Sequence, residues 1–221
     1  VTASPRSARP ATECPATFTN QPTIAMRSRV FATFALFLVG ANFVAADDPI
    51  SERPENWAKP IEKDGVPNLH QVSETLYRSA QPTETGMKEL KKMGITTVVN
   101  LRSFHSDRKE IGSTGLGYEH IYVKAWHPEE KEIIRFLQIV NDPNRQPVLV
   151  HCQHGADRTG TMCAIYRVAV EGWDKEDAIK EMTDGGFGYH PVWKNLPTWI
   201  RELDIKKVVE ASTQTASNND D

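Results

Sequence analysis

The sequence predicts an α/β domain: a mixed, mainly parallel central sheet flanked by helices on both faces. Three observations carry this. Short β-rich runs alternate with segments of helical periodicity, the order that lays helices over a parallel sheet. One run, 147–151 (Pro-Val-Leu-Val-His), is apolar along its whole length, as suits a strand covered on both faces. It leads through a short loop into 160–170, apolar on most faces, as suits a helix buried in the core.

The length, 221 residues, fits one domain plus extensions. Residues 1–25 scatter Pro5, Pro10, Pro15 and Pro22 among Ser, Thr and Ala without periodicity, and are read as an upstream leader that is not translated. Met26 opens Arg27-Ser28-Arg29, an apolar run over 30–39 and the small pair Ala45-Ala46. Basic, apolar, then small residues make a signal peptide over 26–46, with cleavage after Ala46. The protein is therefore expected to be exported, periplasmic or secreted. The apolar run is short for a membrane span and is broken by Gly40 and Asn42. The alternative is an uncleaved anchor, through which alone a membrane would enter.

Removing 1–46 takes Arg6, Arg9, Arg27, Arg29 and Glu13 from 26 basic and 29 acidic residues, and leaves a charge of −6. An acidic product gives no case for nucleic-acid binding. Cys14 also goes, so Cys152 and Cys163 remain. Cys163 lies in the apolar segment after the loop and reads as a small core residue. A domain of this size holds together by its own core without disulfides, and a monomer is expected.

Residues 47–67 carry Pro49, Pro54, Pro60 and Pro67 among charges, and read as a linker or an arm laid on the domain with Trp57 as its pin. The domain itself is placed at 68–210. Short strands are expected at 69–72 and 76–78. A helix follows over 82–93, with Met87, Leu90 and Met93 on one side and Gly94 at its end. Further strands are expected at 96–101 and 118–123. Pro128 sets up a helix with Ile133, Phe136, Leu137 and Val140 at i, i+3, i+4 and i+7. After the central strand come helices at 160–170, 175–183 and 197–209. Residues 211–221 read as a disordered tail.

Between strand and helix lie Gln153, His154, Gly155, Ala156 and Asp157, flanked by Cys152 and Arg158. Such a loop curls so that successive N–H groups point inward at the positive end of the next helix, an anion cradle. Arg158 adds a planar fork for two phosphate oxygens. Helix N-termini with cationic neighbours favour the thiolate of a cysteine such as Cys152. In open α/β sheets, sites form beyond the carboxyl ends of the strands. Arg102 and Lys124 fall just past two other strand ends and are candidates for the same rim. Arg102 reads equally well as a structural ion pair. The mature chain shows no tight His/Asp/Glu cluster at ligand spacing, so no metal and no other cofactor is expected.

Cys152-x5-Arg158, with His151 before and Thr159-Gly160 after, resembles the signature of cysteine-dependent protein tyrosine and dual-specificity phosphatases. Tyr77-Arg78-Ser79-Ala80-Gln81-Pro82 and Val98-Val99-Asn100-Leu101-Arg102 resemble the N-terminal half of the small, dual-specificity-like forms. These include bacterial enzymes and an atypical plant and fungal group, some of which act on inositol pyrophosphates. The likeness runs over about 140 residues, 68–209. It implies a dual-specificity-phosphatase-like fold and hydrolysis of phosphate monoesters through a phosphocysteine on Cys152. Loop amides and Arg158 would hold the phosphate, and the Thr159 hydroxyl would assist the thiolate. His151 would order the loop. The substrate would be a phosphorylated protein or a small phosphate ester. The alternatives are an inositol (pyro)phosphate phosphatase and a phosphate-binding module without turnover.

One departure stands out. The family brings an Asp from a loop upstream of the cysteine to protonate the leaving oxygen. Here that stretch reads Lys124-Ala125-Trp126-His127-Pro128-Glu129-Glu130. His127 and Asp157 are the candidate proton donors. The other reading of Asp157 is a loop-shaping acceptor of backbone N–H bonds.

Overall fold

The structure, a computed structural model, describes residues 53–217. The leader, the signal peptide and Cys14 lie outside the described residues. Six strands form one sheet: β1 (Lys59–Pro60), β2 (His70–Gln71), β3 (Leu76–Ser79), β4 (Thr97–Asn100), β5 (Gly117–His120) and β6 (Val148–His151). Their order is β1-β2-β3-β6-β4-β5. β1 and β2 join antiparallel, while β3, β6, β4 and β5 run parallel. The mixed, mainly parallel sheet is therefore as expected.

The described residues also form seven helices: α1 (Glu84–Lys92), α2 (Arg108–Ile111), α3 (Glu130–Asn141), α4 (Asp157–Ala169), α5 (Lys175–Asp184), α6 (Asn195–Glu202) and α7 (Ile205–Ser217). Successive side chains of a strand point to opposite faces, so the parallel strands feed two cores. Val98 and Leu149 pack with Met87, Leu90 and Ile111 of α1 and α2. Val99, Val148 and Val150 pack on the other face with Ile133, Phe136, Met162, Ile165 and Ala178 of α3, α4 and α5. Strands apolar on both sides follow from being covered on both sides.

Several boundaries differ from the sequence reading, each for a local reason. α1 starts at Glu84 and not Pro82, because the Thr83 side chain caps the helix by accepting from the Gly86 N–H. The segment 197–209 is two helices. Leu203 is extended, and the Asp204 side chain accepts from Lys207 N–H to start α7. α7 then runs to Ser217, so 211–217 is helix where a disordered tail was expected. Strand 118–123 is shorter, Gly117–His120. The four-residue helix α2 was not foreseen. The domain also begins before Asn68: Lys59–Pro60 pairs with β2, and the Ala58 N–H donates to Glu181 at 2.6 Å. Arg53 stacks over Trp57 and Phe187 and donates to the carbonyls of Ala58 and Gly185.

Candidate active site

The registers of β3, β4 and β6 bring Ser79, Asn100 and His151 level. The chain beyond each strand therefore emerges on one rim. After β6 it turns through Cys152 to Ala156 and enters α4 at Asp157, three residues earlier than expected. Arg158 and Thr159 thus sit in the first turn. Cys152 is buried at 2 % exposure, while Gln153 and His154 are exposed. No side chain caps α4. Its first N–H groups have no carbonyl partner within the helix, and they carry the positive end of the helix dipole toward the loop.

Gly155 makes the curl. Its φ is +71°, and a Cβ there would lie 2.5 Å from the Ser79 carbonyl carbon and 2.6 Å from the Ala80 nitrogen. Only glycine fits so close an approach. The Gly155 carbonyl accepts from Arg78 Nη2 at 2.7 Å. Arg78 is buried under the loop with its guanidinium 3.6 Å from the Phe187 ring centre, and burial pulls its pKa down. No carboxylate pairs with it among the described residues. The Gln81 N–H donates to Gln153 O at 3.3 Å, which ties the end of β3 to the loop.

His151 is fully buried and shares a 2.6 Å hydrogen bond with Asp107 Oδ2. Asp107 also accepts from Gln81 Nε2 and Asn100 Nδ2 at Oδ1. Burial raises the Asp107 pKa, but the His151 hydrogen bond and charge, with the Gln81 amide, outweigh it and hold the carboxyl below the usual carboxylate range. His151, the residue before Cys152, is thus tied to a buried carboxylate from the segment after β4. Asp107 went unread in the sequence because it looks like any helix-start aspartate, and 44 positions separate it from its partner.

Asp157 is likewise engaged. Its Oδ1 accepts from the His190 N–H at 2.9 Å and its Oδ2 lies 2.8 Å from His190 Nδ1. The His190 ring faces the His154 ring at 5.2 Å. His190, absent from the sequence reading, comes from the loop between α5 and α6. The Thr159 hydroxyl is buried and has no hydrogen-bond partner among the described residues. Arg158 is half-buried, with Nη1 3.4 Å from Leu101 O.

The two rim candidates separate. Arg102 donates to Gln81 Oε1 at 2.9 Å, beside the loop. Lys124 is exposed, and its carbonyl accepts from the His127 N–H. His127 is exposed in a groove of about 480 Å³ with Trp126, Lys194, Thr198, Trp199 and Glu202, against α6. The expectation of no clustered metal-type ligands needs correction. The fold assembles two trios whose donor atoms lie within 4.8 Å: His154, Asp157 and His190, and His105, Asp107 and Glu110. Neither was visible as spacing, because the first joins two loops and the second needs the turn into α2.

The family model described as "DSP-PTPase phosphatase fused to NAD+ Kinase" matches residues 55–188. The dual specificity protein phosphatase TpbA of Pseudomonas aeruginosa is 32% identical over 185 residues, covering 83% of each chain. A crystal structure of P. aeruginosa TpbA in complex with phosphotyrosine superposes with a TM-score of 0.65 at 31% identity, over 73% of this chain and 98% of that one. The inositol diphosphatase DSP5 of Arabidopsis thaliana is 25% identical over 129 residues, 52% of this chain and 60% of that one. The family model spans more than half of the chain and the P. aeruginosa phosphatase matches over most of both sequences and in fold, so the chain belongs to the cysteine-dependent dual-specificity-type protein tyrosine phosphatase family.

Proposed function

We propose that the protein hydrolyses phosphotyrosyl and similar aryl or alkyl phosphate monoesters through Cys152. The observation that carries this is the loop itself. A buried thiol lies beneath a glycine-curled chain, at an uncapped helix N-terminus, with Arg158 in the first turn. Cys152 Sγ attacks phosphorus, the P–O bond to the leaving group breaks, and the leaving oxygen takes a proton. Water then attacks the phosphocysteine, releases phosphate and restores the thiolate. Loop amides and the Arg158 fork hold the equatorial oxygens, where transition-state charge resides. The free Thr159 hydroxyl stands ready to stabilise the departing sulfur.

For the proton donor we assign the Asp157–His190 pair. Asp157 lies in the loop and His190 is bonded to it, whereas His127 faces α6. Charge favours monoesters over inositol pyrophosphates. The five residues between Cys152 and Arg158 include Asp157 and no Lys or Arg, so the cradle has little to offer several phosphates at once. The stretch 27–46 supports export as part of this reading. N-terminal sequencing of the native protein then gives Asp47 first.

Turnover of an aryl phosphate by Cys152→Ser and Arg158→Lys tests the site. Both are expected to lose nearly all activity while Cys152→Ser still binds vanadate; appreciable turnover in Cys152→Ser removes the covalent mechanism. Asp157→Asn or His190→Ala should slow poor leaving groups by roughly 10²–10⁴-fold and good ones much less. That pattern in His127→Ala instead would move the donor there.

A further inference from the structure

The two ligand trios differ in how completely they are satisfied. In the first, the Asp157–His190 hydrogen bond at 2.8 Å already joins the facing atoms. In the second, His105 Nε2 lies 3.4 Å from Asp107 Oδ1 and 3.8 Å from Glu110 Oε1. The first distance is long for a charge-assisted hydrogen bond and the second exceeds any. Two of the buried atoms without a hydrogen-bond partner fall here: His105 Nε2 and Glu110 Oε2. Buried polar atoms without partners are rare, and a bound water or ion is one physical reason for them.

The spacing fits an ion. Zinc binds imidazole nitrogen at about 2.0–2.1 Å and carboxylate oxygen at about 2.0–2.2 Å, so tetrahedral donors stand about 3.4 Å apart. The trio matches this with small adjustments, and one imidazole with two carboxylates suits a borderline divalent ion. The support around it is built as metal sites are. Asp107, the fully buried ligand, is held by the Gln81 and Asn100 amides at Oδ1 and by His151 at Oδ2, so an ion would share Oδ1 with those amides, and the Asn100 amide also donates to the His105 carbonyl at 2.8 Å. The His105 and Glu110 side chains are 30 % and 23 % exposed, which leaves an ion a path from solvent.

We propose that His105, Asp107 and Glu110 form a binding site for a divalent transition-metal ion of the zinc class, one residue removed from the phosphate loop. Asp107 is shared between the ion and His151, which precedes Cys152. The ion therefore pins the 102–110 segment to the base of the loop. The proposal does not depend on the phosphatase reading, because the thiol takes no part in it.

Zinc chloride titrated calorimetrically into the metal-free full chain carrying Cys152→Ser tests it. One equivalent is expected to bind. His105→Ala and Glu110→Gln, both in partly exposed positions, should each weaken binding by at least the roughly 10–100-fold that an outer partner costs, and His190→Ala should not. At about 100-fold excess over Kd, zinc should raise Tm by roughly 5–10 °C, and that rise should vanish in His105→Ala. Absence of saturable binding, binding that survives both His105→Ala and Glu110→Gln, or loss of binding in His190→Ala overturns the site.

Discussion

Two buried arginines sit on opposite sides of the α4 story. Arg167, near the C-terminal end of α4, has Nε and Nη2 on the two oxygens of Glu181 at 2.8 Å each, Nη1 on Glu171 and on the Val72 carbonyl, and Trp173 stacked at 4.3 Å. Arg78, beneath the N-terminal end, has one carbonyl, one aromatic face and an Nε without a partner. Burial lowers the pKa of both, but the Glu181 hydrogen bonds reverse this in Arg167, so the two pKa values shift in opposite directions. An uncompensated buried charge is costly, and a paired one much less so. Arg167 is thus a fastener between α4, α5 and the strand region at Val72. Arg78 lies uncompensated beneath the Cys152–Arg158 loop.

The largest effect expected from this contrast is on stability at the paired end. Arg167→Met leaves Glu181 buried and unpaired, and should destabilise by roughly 3–5 kcal/mol in urea unfolding. The folded fraction should keep its turnover, and Arg167→Met/Glu181→Leu should regain most of the stability. A loss of turnover matching the loss of phosphate binding would mean that Arg167 also serves the loop.

Arg78→Met is expected to do the reverse. It removes a lone cation and frees the Gly155 carbonyl, a loss of about 1–3 kcal/mol for the orphaned acceptor, offset by no longer burying a charge. Turnover and vanadate affinity should fall by about 10²-fold, the scale of one anion-stabilising donor. If Arg78→Met unfolds the chain as readily as Arg167→Met while the folded remainder turns over normally, Arg78 is structural.

The two thiols sharpen the comparison along the same helix. Burial pushes the Cys163 pKa up to about 11, so almost none is thiolate at pH 7. Iodoacetamide should modify one cysteine of the two in 53–217, Cys152, and vanadate should protect it. Mass spectrometry of the digested protein gives the position; equal labelling of Cys163 in native protein would remove the distinction.

The smallest effect is at His70, edge-on to Phe187 at 4.8 Å. Burial lowers its pKa, with Arg78 and Arg53 adding to the fall and the Asn68 carbonyl opposing it. A histidine depressed in the folded state contributes stability that is present above about pH 6.5 and is lost as pH falls below it. His70→Gln should therefore flatten the fall in Tm between pH 7.5 and 5.5. The change should be modest, since one pKa unit is worth about 1.4 kcal/mol. An unchanged slope would place the acid sensitivity elsewhere.

The sequence by itself determined five of the six sheet-forming runs, all but β1, together with most helices and the strand–loop–helix that carries Cys152 and Arg158. Those rest on local rules: period, glycine placement and fixed spacing within a dozen residues. The split at Leu203 was within reach of the same rules, since Asp204 is an ordinary helix-capping residue. The tertiary structure alone decided what surrounds the loop. Arg78 reaches Gly155 across 77 positions, His151 meets Asp107 across 44 and Asp157 meets His190 across 33. The first two meet because β6 lies between β3 and β4, which sets their carboxyl ends side by side, and the third because the chain after α5 returns over the start of α4. Strand order is a property of global packing, in which non-local burial outweighs local preference, and no short-range pattern in the chain encodes it.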